Sequence, residues 1–147
     1  MLKNLQKTKD QKGFTIIEVL IVLAIAGLIL LIVFLAVPAL QRNSRDTSRR
    51  NDVSRILGAT QEVLNNNGGQ ISALTDANIQ AAVGSLGYYT TTNVTMGAVG
   101  DTPDTEHVVI VKSAKCSGNA AAAGATRQVA VLYKIESSNG TAQCTSS

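Results

Sequence analysis

The chain has 147 residues, 45% of them hydrophobic, two cysteines and a formal net charge of +3. Four of its thirteen basic side chains (Lys3, Lys7, Lys9, Lys12) and one of its ten acidic ones (Asp10) precede Gly13, so the rest is balanced at nine of each. That balance removes nucleic-acid binding argued from basicity alone, and the length admits one long element and one small domain.

The first thirteen residues form a basic leader, and the run that follows, 14–40, is almost wholly apolar. No polar side chain occurs between Val19 and Val37, and the run is long enough to cross a bilayer at about 1.5 Å per residue. A secretory signal peptide is one reading, but its hydrophobic region normally spans only about 7–15 residues. A plain membrane anchor accounts for the length and leaves Glu18 unexplained. An ionised carboxylate at mid-membrane costs roughly 2.5–3.5 kcal/mol and needs a partner or water. No Lys, Arg or His lies between Gly13 and Gln41. Glu18 therefore either lies shallow enough to reach water or meets a positive group from another chain. Cleavage between Gly13 and Phe14 would create such a group, the new α-amine of Phe14. Two identical helices staggered by about one turn would then pair amine with carboxylate.

The stretch KGFTIIEVLIVLAIAGLIL, from Lys12, resembles the class III signal of type IV pilins and pilin-like proteins. Gly13, Phe14, Thr15 and Glu18 match the pattern of that signal. The resemblance implies cleavage after Gly13 by a prepilin peptidase and N-methylation of Phe14. It also implies residence in the cytoplasmic membrane, then assembly by a platform and ATPase into a homopolymer at the cell surface. Glu18, together with Thr15, would dock each subunit against a neighbour. Orientation rests on the resemblance. Arg42, Arg45, Arg49 and Arg50, less Asp46, carry +3 beyond the span and match the leader, so the positive-inside rule is tied.

Residues 41–67 continue the helix as an amphipathic half. Val53, Ile56, Leu57, Val63 and Leu64 form one stripe, while Arg45, Arg49, Arg50, Asp52 and Glu62 are expected on the remaining surface. The basic residues there read as a solvated face or a contact with anionic headgroups. A DNA track would interleave aromatics, which are missing. Asn65-Asn66-Asn67-Gly68-Gly69 stops the helix. From Phe14 it would be a rod of roughly 80 Å. Pro38 removes one helical hydrogen bond; a kink is expected, with Gly27 to Pro38 as a segment that could loosen on packing. Pilins commonly carry such a proline a few residues earlier.

The remainder, 68–147, reads as a globular head. TDANIQAAVGSL is a short helix capped by Thr75 or Asp76. Tyr88 to Pro103 reads as an exposed connecting loop. HVVIVKSAKC from His107 and TRQVAVLYKIES from Thr126 read as strands, and SGNAAAAGA between them as a flexible loop. Asn139-Gly140 is a two-residue hairpin turn, placing Ser138 opposite Thr141 and Ile135 opposite Cys144. The expected fold is α+β, a long N-terminal helix packed on a small C-terminal antiparallel sheet. Outside the cytoplasm, where the resemblance places the head, Cys116 and Cys144 would form a disulfide; a free pair is the alternative. Many pilins staple this region in the same way.

The head shows little chemistry. Asp101, Asp104 and Glu106 lack calcium-loop spacing, His107 stands alone, and no zinc pattern, phosphate loop or nucleophile elbow occurs. No metal or cofactor is expected, and nothing supports an enzyme. Asn93 and Asn139 begin glycosylation sequons of a kind that arises often by chance. The reading is a structural subunit of a type IV pilus, serving adhesion, twitching motility or DNA uptake. The alternatives are a pseudopilin of a type II secretion system, a class that often uses calcium in place of a disulfide, and a monomeric membrane-anchored binding module.

Overall fold

The structure, a computed structural model, describes residues 13–147. All of the expected leader except Gly13 lies outside the described residues. The chain divides between Pro38 and Ala39 into two units.

In the first unit every described residue is exposed. Helix α1 (Ile16–Asn66) begins here and runs through Gly27 and Pro38 without a break in helical assignment. Its stretch of apolar side chains is long and apolar enough to cross a membrane, and none of it is buried within the chain.

In the second unit the rest of α1 lies against a four-stranded sheet. Val53, Ile56, Val63 and Leu64 are buried, with Ala59 and Thr60 between them, and Leu57 packs at the margin. The helix stops as expected: Gly68 and Gly69 take φ of 62° and 79°, and Gly69 N donates to Leu64 O at 2.6 Å. Helix α2 (Asp76–Val83) follows, with Thr75 as N-cap accepting from Asn78 N.

Six strands complete the head: β1 (Val94–Gly97), β2 (Val108–Lys112), β3 (Ala114–Ser117), β4 (Ala120–Ala123), β5 (Val129–Lys134) and β6 (Ala142–Ser146). The main sheet has the order β1-β2-β5-β6, and β3 with β4 forms a separate hairpin. Val94, Val108, Ile110, Val129, Val131 and Tyr133 face α1. Val111, Ala130 and Leu132 face the other way, under the hairpin residues Ala114 and Ala121. The sheet is thus covered on both faces, by a helix and by a hairpin.

Five local expectations are corrected. Residues 88–103 are more than a loop: they include β1, and Tyr89 and Val94 are buried. Strand β1 pairs parallel with β2, so the α+β sheet is mixed. Its backbone is further held by α2, with Met96 N donating to Asp76 Oδ1 and Gln80 Nε2 to Val94 O. The run from His107 to Cys116 is two strands, broken at Ser113, whose φ is 50°. The alanine run is a strand, because β3 offers it a full ladder. Finally, Asn139 and Gly140 do adopt positive φ, with Thr141 N donating to Ser138 O. Yet Leu132, not Ile135, faces Cys144. The ladder ends at Lys134 because Glu136 and Ser137 donate their backbone N–H groups to Asp46 of α1 instead.

Candidate functional site

Thr15 is the residue before the first turn of α1 and Glu18 is its third helical residue. Glu18 Oε2 accepts from Thr15 N and from Thr15 Oγ1, both at 2.8 Å, and Glu18 N donates back to Thr15 Oγ1 at 3.4 Å. This reciprocal pair is a capping box, in which two otherwise orphaned donors are satisfied at a helix start. The Thr-x-x-Glu spacing announced it in the sequence, and a reading of Glu18 by its membrane cost alone passed it over. Among the described residues no hydrogen bond falls on Glu18 Oε1, which is left for another donor. Phe14, Val19, Val22 and Leu23 line an open apolar recess around the same carboxylate, and Phe14 is 88% exposed. All of these side chains are exposed, so the carboxylate is accessible to a group from outside the chain. Among the described residues nothing packs against Gly27: beyond its own helix backbone, a Cβ there would meet no atom within 4 Å.

A second charged group lies in the head. Asp46, Arg49 and Asp52 occupy successive turns of α1 on the extension of its apolar stripe, at 4%, 1% and 2% exposure. Arg49 and Asp52 are therefore interior residues, a correction to their expected place on the surface; Arg50 and Glu62 are exposed as expected. Asp46 accepts from Glu136 N at 2.7 Å and Ser137 N at 2.9 Å. Asp52 accepts from Gly87, Tyr88 and Tyr89 N at 2.8, 2.6 and 3.0 Å. Arg49 donates to Asp46, Glu136 and the Tyr88 hydroxyl, with its guanidinium 4.2 Å from the Tyr88 ring centroid. Arg45 makes a two-point contact with Glu136 at 2.9 and 2.6 Å.

Buried charges are costly unless paired or hydrogen-bonded; Asp46 and Arg49 pair with each other and Asp52 is held by backbone N–H groups, while among the described residues Arg49 Nε has no partner. These contacts fix two loops to the helix. Burial pushes the Asp46 carboxyl up, but hydrogen bonds from Ser137 and Glu136 and the Arg49 charge outweigh it and hold it below its ordinary value. Hydrogen bonding to Arg45, aided by the charges of Arg45 and Arg49, holds Glu136 down in the same way against its partial burial.

The other sequence-singled residues are separate from both groups. Cys116 and Cys144 are bonded, with Cα atoms 5.7 Å apart, joining β3 to β6. Asp104 accepts from the backbone of Glu106 and His107 and pairs with the His107 ring at 2.7 Å. Asp101 caps Ala98 N. Asn93 Nδ2 donates to Glu106 O, while Asn139 is exposed.

Residues 8–34, just under a fifth of the chain, match the family model described as the prokaryotic N-terminal methylation motif. No curated protein and no solved structure matches the chain.

Proposed function

We propose that this chain, which carries the class III signal of a type IV pilin-like prepilin, is a structural subunit of a type IV pilus. The signal implies processing by a prepilin peptidase, and together with the apolar helix it points to membrane anchoring before assembly. Cleavage after Gly13 frees the α-amine of Phe14, which is then N-methylated. The mature subunit leaves the membrane when the amine of one copy meets the Glu18 carboxylate of the next and the apolar stems bury one another. Platform and ATPase are the partners implied for that step, and the filament carries any adhesion, motility or DNA uptake.

The observation that carries this reading is the setting of Glu18. It is the one charge on an apolar stem, fixed at the helix start by Thr15 through one carboxylate oxygen, and it lines an exposed recess together with Phe14. Hydrocarbon would penalise it, and an ammonium group from a second copy removes that penalty. Gly27 and Pro38 give the stem two places to yield as copies pack. The Cys116–Cys144 bond favours a pilus subunit over a secretion pseudopilin. Mass analysis of subunits sheared from the surface of producing cells tests the proposal. Filament chains starting at N-methylated Phe14 are expected; full-length chains that begin at Met1 and stay monomeric in the membrane would replace it with an anchored binding module.

A further inference from the structure

The hairpin β3–β4 is an excursion between two strands that do not need it. β2 and β5 pair directly up to Lys112 opposite Val129, so residues 113–128 leave and rejoin the sheet at adjacent positions. Most of the hydrogen bonds at the neck tie the excursion to itself: Gly124 N to Ser113 O, Ala114 N to Gln128 O, and Ala125 N to Gln128 Oε1. Its own buried side chains are methyl groups, Ala114 and Ala121, so it brings little apolar area to the outer face of the sheet. The core cluster it completes, with Val111, Ala130 and Leu132, shares no buried residue with the cluster on the helix side. A covalent bond from Cys116 to Cys144 of β6 fastens it down, and both cysteines are partly exposed.

We propose that this hairpin is a redox-held flap, which a dithiol reductant releases while the helix-and-sheet core stays folded. A thiolate of the reductant attacks one cystine sulfur, and its second thiol resolves the mixed disulfide. Cys116 and Cys144 end as thiols, and the reductant leaves as a cyclic disulfide, so two electrons and two protons pass to the protein. Release uncovers Val111 and Leu132 on the outer face. Local opening of this kind is the behaviour of a weakly packed cooperative unit within a more stable domain.

Hydrogen exchange read by mass spectrometry tests this on the full-length protein in detergent micelles, oxidised and treated with dithiothreitol. Amides of residues 114–123 should exchange about a hundredfold faster or more after reduction, the order expected when a loop of this size is no longer closed. Amides of 53–64 and 129–133 should keep their rates. A C116S/C144S double variant should reproduce the pattern without reductant. Continued protection of the hairpin in both the reduced protein and the variant would overturn the proposal, as would loss of protection throughout the head.

Discussion

Removing the Asp52 carboxylate should destabilise the head far more than a helix-surface change would. In Asp52→Ala the backbone N–H groups of Gly87, Tyr88 and Tyr89 lose their acceptor together. A donor left unpaired away from water costs about 1–3 kcal/mol. Tyr89 is buried and bears the full penalty, whereas Gly87 is exposed and Tyr88 half-buried, so water replaces part of theirs. The sum is about 3 kcal/mol, and for a folded unit of this size that lowers Tm by about 13 °C. Asp52→Asn keeps the volume and one carbonyl acceptor but turns an amide N–H₂ toward a backbone donor, so it should fall between the two. Near-UV circular dichroism of the full-length protein in micelles is a suitable assay, because all three tyrosines and no tryptophan lie in the head. An Asp52→Ala melt within about 2 °C of the parent, or roughly 0.5 kcal/mol, would refute the account of this latch.

The contacts of Asp46 and Glu136, which hold the other loop, set an acid limit. The folded values of Asp46 and Glu136 lie below their ordinary ones of 3.8 and 4.5. The unfolded chain therefore binds more protons in that range, and stability present above about pH 5 is lost as pH falls through the folded values. Tm measured against pH should show this fall, and Asp46→Asn should make it shallower. Gly97→Ala should cost about 1–3 kcal/mol, because a Cβ there would lie 2.3 Å from Val109 Cγ1 and 2.6 Å from Asp101 Oδ2. Gly58→Ala, where a Cβ would meet no atom within 4 Å among the described residues beyond its own helix backbone, should instead stabilise by roughly 0.5–1 kcal/mol; paired melts of the two variants check both signs.

How much of this was legible in the residues depended on whether the deciding force was local. The apolar stem, the Asn-Gly-Gly stop and the Thr75 cap are local signals, and each element stands where the sequence placed it. The capping box was equally local and was passed over. Arg49 and Asp52 were read as surface because charges on a helix usually are, and Asp46 was read only for its charge. Their spacing continued the stripe of Val53, Ile56 and Leu64, but only the loops at 87–89 and 136–137 make their burial tolerable. Strand β1 is only four residues long and shows no periodicity, and the alanine strand β4 has little propensity of its own; each is completed by the ladder that β2 or β3 offers. The turn at Asn139-Gly140 was readable from its chemistry. Its register was not, since Asp46, ninety residues earlier, takes the N–H groups that would have extended the ladder.

Glu18 has two possible duties, sealing its own helix start and neutralising a neighbour, and a single substitution separates them. Glutamine at this position supports a capping box as glutamate does but carries no charge. Glu18→Gln should leave processing, membrane insertion and helix content intact while surface filaments fall to the level of cells lacking the subunit. Filaments as abundant and regular as those of the parent would show that the carboxylate only caps a helix, and would contradict assembly by charge pairing.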